Sequence, residues 1–598
     1  DVVSGRFTPK PIREAPDSLE KASPDAYSQL VQVGLKLESH FCDVQDLEFT
    51  IERGQLWMLQ TRPAKRTARA AVQIAVDLVH EGRISIEEAI GRIPGDGLLR
   101  LLHPSVDTNE RRRIIGKGLP ASPGAVSGMA IFDANEAIDR AERGETIILV
   151  RVETSTDDMD AIHQVAGVLT SRGGMTSHAA LVARGLGKPC VTGCAELMID
   201  ERRRRCRVRN GNVTVSEGDS LTIDGTTGEV ILGLVETHSA APPASYQELM
   251  SWVDKRRALQ VMANADNARA VEDANGNGAD GIGLCCTEHM FLGRDHLSLV
   301  REMVLAYDQR TRRKVLDDLL PLQREDFRSM FAAMGTGSIT IRLLDLPLHD
   351  LMPEDDGDFE SIAQRLDTTV DHLSSRAGSL QAKNPILGHR GCRLGLTFPE
   401  LYEVQVRALF EAVIESQYRA GVRILVPFVT APDEMTRLRR RIEAISRQVT
   451  EERNTSLPTF EIGAMIESPR ACIIADEIAL VSDFLLFGTN DLTIGTHLLN
   501  RDDAGRFLNF YLEKGILDAD PFVRLDEKGV GVLIDLAIKK VRDIRPGLPI
   551  GLAGAHANHP ETVRWCCERS INYVTCAPHR LPMIRLAAAQ AKLERTTD

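Results

Sequence analysis

From about residue 259 onward, short β-rich apolar runs alternate with segments of amphipathic helical spacing. The runs are Val261–Asn264, Gly281–Leu284, Ile339–Leu344, Val422–Phe428, Ile462–Ile466, Phe484–Phe487, Ile550–Leu552 and Tyr573–Thr575. Strands separated by helices predict parallel pairing, and eight of them predict a closed (β/α)8 barrel of the TIM type. In that fold the chemistry sits at the C-terminal ends of the strands, which singles out the polar residues found there.

The pattern differs upstream. Residues Asp46 to Arg62 alternate apolar and polar positions around an Arg-Gly pair, which predicts a β-hairpin. Helical spacing follows at Ala71, Ile74, Ala75, Leu78 and Val79. An extended run, Val165 to Leu169, leads to Gly173-Gly174, and Thr176-Ser177 then opens a short apolar helix headed by His178. The stretch Asp224-Gly-Thr-Thr-Gly-Glu-Val-Ile-Leu reads as a turn between strands. The basic run Arg202 to Arg209 reads as a solvated hairpin, and Ala240 to Ser245 as a linker into a helix over 246–258.

At 598 residues the chain is too long for one core. Its 43% hydrophobic and 26% charged residues are ordinary for a globular protein, and the alternating runs make it a multidomain α/β chain. A net charge of −13 argues against nucleic acid or an anionic membrane as the main partner. No apolar run is long enough to span a bilayer and the N-terminus is not signal-like. The 11 cysteines contain no Cys-x-x-Cys, and Cys190 and Cys194 lack a second ligand pair, so a zinc site is not expected. Reduced thiols in a cytoplasmic compartment are the expectation.

His178 carries the sharpest chemistry. A helix start exposes backbone N–H groups and the positive end of the helix dipole, which stabilise an anion. Imidazole is nucleophilic and largely neutral near pH 7, so a histidine there can accept a phosphoryl group. A lone histidine is more often a cap or a surface residue; its surroundings decide here. The run from Leu149 to Gly193, with Glu153-Thr-Ser and Gly-Lys-Pro-Cys-Val-Thr-Gly, resembles the swivelling phosphohistidine domain of the PEP-utilising enzymes. Gly118-Leu-Pro-Ala-Ser-Pro-Gly-Ala-Val-Ser-Gly128 resembles that domain's opening segment. The resemblance implies that His178 is the phosphoryl carrier; the Thr176 hydroxyl lies beside it in the chain, and the sequence does not decide whether it is a site of regulation.

At the barrel ends, Arg342 closes the third run and Arg390 lies in the loop Asn384-Pro-Ile-Leu-Gly-His-Arg. Two guanidiniums at one mouth suit a phosphate and a carboxylate. Glu467 ends the fifth run and Asp491 the sixth, beside Asn490, a hard-oxygen set suited to Mg2+ with positions left for substrate. These segments are similar to the PEP/pyruvate domain of the pyruvate phosphate dikinase family, as are Arg501-Asp-Asp-Ala-Gly-Arg-Phe and Arg585-Leu-Ala-Ala-Ala-Gln. The resemblance implies substrate contacts from Arg342, Arg390, Glu467, Gly488, Thr489, Asn490 and Asp491, metal ligation by Glu467 and Asp491, and a homodimer. It divides the chain into residues 1–115, a nucleotide-domain remnant with a helical linker; 116–238, the mobile domain; 239–258, a linker helix; and 259–598, the barrel.

The hairpin resembles the closing hairpin of the family's ATP-grasp domain, which implies Asp46 and Glu48 near nucleotide-bound Mg2+ and Gln60 and Arg62 near the nucleotide. Alone, the pattern favours a hairpin with a solvated carboxylate face. No Gly-rich phosphate loop occurs, and most of the ATP-grasp lobe is expected to be missing, so ATP and phosphate would be used only if that lobe were supplied.

The chain also departs from the family. The family's strand-seven phrase is Gly-Ile-Cys-Gly-Glu-His, whose Cys protonates enolpyruvate; here Ala553 and Ala555 replace its Cys and Glu. Losing a general acid costs about 100- to 10,000-fold. Cys286 replaces the arginine of Leu-Cys-Arg-Thr-Glu-His, and Ile494 replaces a glutamine. Two functions are therefore expected to compete. One is a phosphotransferase working through phospho-His178 between PEP/pyruvate and ATP/phosphate, with turnover impaired at Ala553. The other is a non-catalytic paralogue that binds PEP or pairs with an intact enzyme.

Overall fold

The computed structural model describes every residue except 1–10, 16, 107–111, 155–157, 175–176, 210–212, 239–241, 292–293, 348–351, 354–355, 381–387, 501–503, 505–506 and 598. The chain divides into two compact units, residues 1–256 and 257–598.

The first unit opens with two helices, Leu19–Ala22 and Pro24–Phe41, and a two-stranded hairpin, Gln45–Glu52 with Gln55–Pro63. Glu52 pairs with Gln55, so the loop is Arg53-Gly54, and both loop residues have positive φ (52° and 79°). That backbone matches the twist of antiparallel strands, which is why the Arg-Gly pair is legible as a turn. The predicted helical spacing forms Ala68–His80, started by Thr67, whose side chain accepts from the Ala70 N–H.

Beyond it lies an eight-stranded mixed sheet. Its strands are Ala125–Ile131, Ile147–Arg151, Gly167–Thr170 and Cys190–Thr192, parallel and adjacent, flanked by Arg113–Lys117, Leu119–Ser122, Ser220–Asp224 and Glu229–Leu232. Helices Ala134–Glu142, Met159–Gln164 and His178–Leu186 make the crossovers between the parallel strands. One buried cluster, including Ile147, Leu149, Val168, Ala179, Ala180 and Ala183, joins these helices to the sheet. The basic run sits on the solvated hairpin Leu197–Asp200 with Arg205–Val208, where Arg202, Arg203 and Arg204 are exposed, as the sequence predicts.

The second unit is the expected barrel. Its eight parallel strands are Gln260–Asn264, Gly281–Cys286, Ser338–Arg342, Val422–Val426, Phe460–Ile466, Leu485–Gly488, Ile550–Ala553 and Tyr573–Cys576, and the first pairs with the last to close it. Each predicted run falls on one of them. The interior holds Met262, Leu284, Leu425, Met465, Phe484, Leu486, Ala553 and Tyr573, with Cys286 packed against this group. Two rings dominate it, and glycines make room for both. A Cβ on Gly463 would come within 2.5 Å of the Phe484 ring, and one on Gly551 would overlap Tyr573. Among the described residues no helix is long and apolar enough to cross a membrane.

Gly463→Val and Gly551→Val are therefore expected to destabilise the barrel by about 1–3 kcal/mol each through overpacking. Gly547→Ala, where a Cβ meets nothing within 4 Å, should stay within about 0.5 kcal/mol of wild type. Urea unfolding checks all three; wild-type midpoints for the two valine variants would refute the packing account.

Candidate active site

The barrel gathers charge at one end. Arg342 is the last residue of the third strand, Glu467 follows the fifth, and Thr489, Asn490 and Asp491 begin the helix Thr489–His497 after Gly488 ends the sixth. Cys286 ends the second strand beside Arg342, and Ala553 ends the seventh beside Gly488. Parallel strands of similar length bring these ends to one rim, which is how residues far apart in the chain meet.

Asp345, three residues beyond Arg342, is the hub of this cluster. It is buried, and its carboxylate accepts from Arg390 Nε (3.1 Å) and Nη2 (2.7 Å). The other edge of the Arg390 guanidinium donates to Asp491 through Nη2 (3.1 Å) and Nη1 (3.4 Å). Gly391 permits this approach: its φ is +60°, and a Cβ there would lie 2.8 Å from Asp345 Oδ1. Arg342 pairs with Glu288 at 3.0 Å and lies 3.7 Å from Asp345, while Glu288 also accepts from the Asp345 N–H at 2.6 Å. Arg342 Nε is buried with no hydrogen-bond partner among the described residues. It is a donor left over for an anion.

Among the described residues no guanidinium forms an ion pair with Glu467, although Arg342 and Arg390 lie close enough to lower its pKa. Its Oε1 accepts from the Phe428 N–H at 2.6 Å, and Phe428 adopts a left-handed φ of 60° at this bond. Burial pushes the Glu467 carboxyl well above the ordinary range, and the neighbouring charges of Asp345 and Asp491 push it further. Burial opposes the charge on Arg390, but Asp345 and Asp491 outweigh it and hold its pKa above the usual value. Oxygen atoms of Asp345, Glu467 and Asp491 lie within 4.8 Å of one another. An all-oxygen, negatively charged set of this size fits a hard divalent cation.

The remaining predicted residues form the wall beside this cluster. Thr489 Oγ1 donates to the Ala553 carbonyl at 2.9 Å and lies 2.7 Å from His556 Nδ1; His556 Nε2 lies 2.8 Å from the Pro521 carbonyl. Asn490 Oδ1 accepts from the Ala555 N–H at 2.9 Å. The sixth and seventh strand ends are thus tied together. Ala553 itself is fully buried among apolar side chains. The Cys286 N–H donates to Asp266 at 2.5 Å, and burial pushes its thiol well above the ordinary value. Cys576 is also buried, its thiol pushed up to about 12 by burial and donating to the Met262 carbonyl at 3.8 Å.

In the first unit, His178 is the first residue of the helix His178–Leu186, whose Ser177 cap accepts from the Ala180 N–H at 3.4 Å. Gly187, at φ 67°, ends it. Thr176 lies outside the described residues. On the hairpin, Asp46 pairs with Arg62 and Glu48 with Gln60 across the strands, so all four share one face. Arg62 Nε lies 2.9 Å from Asp46 and its Nη2 lies 3.9 Å from Glu48, in a half-exposed network.

Asp345 and Glu288 are the residues that sequence reasoning missed. The available signal was their position: Asp345 sits just past a strand end already marked by Arg342, and Glu288 just past Cys286. Both read as ordinary rim charges until their burial is seen.

The buried carboxylates make stability depend on pH. With its folded pKa raised, Glu467 contributes stability that is fully present below its unfolded pKa of about 4.3 and is lost as pH rises through the folded value. Glu467→Gln keeps an acceptor for Phe428 and removes the charge. It is expected to raise the metal-free melting temperature at pH 8 by about 2–4 °C, with the difference closing toward pH 4. Melting curves at both pH values decide it; a variant less stable at pH 8 contradicts the repulsion.

Comparisons with known proteins identify the family. The model for the PEP-utilising enzyme PEP-binding domain matches residues 241–593, and that for the PEP-utilising enzyme mobile domain matches 144–228. The pyruvate phosphate dikinase AMP/ATP-binding domain matches 7–83. That match does not support the expected loss of most of the nucleotide lobe. Pyruvate, phosphate dikinases of Rhizobium meliloti and Clostridium symbiosum are 45% and 44% identical over 99% of this chain, which covers 67% and 68% of their lengths. The chloroplastic enzyme of Arabidopsis thaliana is 46% identical over 99% of the chain and 61% of its own length. The chain thus spans about two thirds of the length of these relatives. A solved pyruvate kinase of Cryptosporidium parvum aligns over 57% of this chain and 70% of that one at 11% identity and TM-score 0.29, too slight to carry an argument. With matches across the mobile and PEP-binding regions and bacterial relatives covered over two thirds, the chain belongs to the pyruvate, phosphate dikinase family of PEP-utilising enzymes.

Proposed function

We propose that this chain moves a phosphoryl group between PEP/pyruvate and ATP/phosphate through phospho-His178. The observation that supports it best is the meeting of Arg342, Arg390, Glu467 and Asp491 at one barrel mouth, with the Arg342 Nε donor uncommitted. In the direction from PEP, a ring nitrogen of His178 attacks phosphorus and the bond to the enol oxygen breaks. Arg342 and Arg390 hold phosphoryl and carboxylate oxygens, and Asn490 and the Gly488–Thr489 turn shape the wall. Mg2+, held by Glu467 and Asp491 with Asp345 alongside, would supply positive charge to the phosphoryl and enolate oxygens. Asp46, Glu48, Gln60 and Arg62 serve the nucleotide half. A homodimer and a cytoplasmic location complete the reading, the latter in keeping with eleven free cysteines.

The proton step is the weak point. The enolate left by phosphoryl transfer needs a proton on carbon, and the methyl group of Ala553 has none to give. Solvent then protonates it slowly, and turnover falls while phosphorylation of His178 persists. The alternative, a non-catalytic paralogue that binds PEP, draws on the same substitution.

Incubation with PEP and Mg2+ is expected to leave acid-labile phosphate on His178, absent in His178→Ala. An unmodified His178 in the folded protein would favour the paralogue. Ala553→Cys is expected to speed deuterium exchange at the pyruvate methyl by about 100-fold or more, read by NMR in heavy water. No change on gaining the thiol would remove Ala553 as the cause of slow turnover.

A further inference from the structure

Arg390 grips two members of the carboxylate trio with two adjacent edges of one guanidinium that share Nη2. Nε and Nη2 face Asp345, and Nη1 and Nη2 face Asp491. The group is largely buried and rests 4.9 Å from the Phe428 ring centroid, a face that stabilises a cation. These are oxygens that a divalent ion would also need, since Asp345, Glu467 and Asp491 form the one such cluster among the described residues. A guanidinium and a divalent cation repel each other at contact distance and compete for the same lone pairs. Arg342 differs: it pairs with Glu288, lies 3.7 Å from Asp345, and makes no ion pair with Asp491.

We propose that Arg390 is a tethered counter-ion of the carboxylate cluster, exchanged for a divalent cation on binding, so that the cation enters first and frees the guanidinium for the anionic substrate. The inference rests on the reading of Asp345, Glu467 and Asp491 as cation ligands. In the metal-free protein Arg390 neutralises carboxylates that would otherwise repel, and its fork is fully committed. An anion arriving then meets an arginine already satisfied by two partners. Once the carboxylates turn to a cation, Arg390 keeps only its Nε contact to the Asp345 main-chain carbonyl at 3.2 Å, and a new anion restores the bonds of its two Nη groups. Arg390 is therefore a positioning residue for the cation site before it is a substrate ligand.

The test is Mn2+ binding to the full chain without substrate, followed by electron paramagnetic resonance of free Mn2+. Arg390→Met is expected to tighten Mn2+ binding about tenfold or more, a gain that persists in about 0.5 M KCl because buried contacts are poorly screened. Arg342→Met removes the same charge from the same mouth and is expected to gain less than about threefold. Arg390→Lys keeps the charge but cannot span both carboxylates, so an intermediate gain is expected even if the methionine variant does not fold. Equal gains for the Arg390 and Arg342 methionine variants, or no gain in Arg390→Lys, overturn the proposal. Absence of Mn2+ binding in wild type and all variants instead defeats the cation-site reading on which it stands.

Discussion

Burying like charges at the mouth of the barrel is the constraint around which this site is organised. Asp345, Glu288 and Glu467 are all nearly inaccessible to solvent, and Asp491 is partly so. Burying carboxylates is costly unless cations or N–H donors meet them. Arg390 meets two, Arg342 meets Glu288, and the Phe428 amide meets Glu467. Removing one partner from a buried pair typically costs about 3–5 kcal/mol, because the other charge is stranded. The cluster is therefore a network rather than a set of independent ligands. The strained φ at Phe428 and the open approach at Gly391 belong to the same economy of contacts.

The barrel beneath supplies rigidity. Its interior is filled by Phe484, Tyr573 and aliphatic side chains, with glycines facing the rings, so the strand ends have little freedom to drift. Thr489, His556 and Asn490 then stitch the sixth and seventh ends together. Substituting Ala553 for a thiol leaves this frame unaltered, because a methyl group fits an apolar wall.

The first unit follows a different logic. Its region of mobile-domain similarity includes three parallel strands of a mixed sheet and the helix headed by His178, which begins with a serine cap and ends at a left-handed glycine. Those local signals are short-range and strong. The hairpin at 45–63 is equally local, since a two-residue Arg-Gly loop sets its register and hence the shared face of Asp46, Glu48, Gln60 and Arg62. Its ion pairs are exposed, where such pairs are worth at most about 1 kcal/mol, so the alternation of the strands maintains the hairpin.

The sequence by itself determined the barrel, the hairpin, the solvated basic run and the helix headed by His178. Each depends on periodicity, turn residues or caps within a few positions of one another. It also placed Arg342, Glu467 and Asp491 at strand ends, because parallel β/α topology makes the end of a strand a location in space. It did not reveal Asp345 and Glu288. Nothing in Leu-Leu-Asp-Leu-Pro distinguishes a buried hub from a rim charge, since that difference arises only when the third strand, the Arg390 loop and the sixth strand meet. Nor could it show that Arg390 is already engaged by two carboxylates, for the contacts span 45 and 101 positions of chain. Burial and charge pairing across distant segments are properties of the closed barrel, and only the tertiary structure decided them.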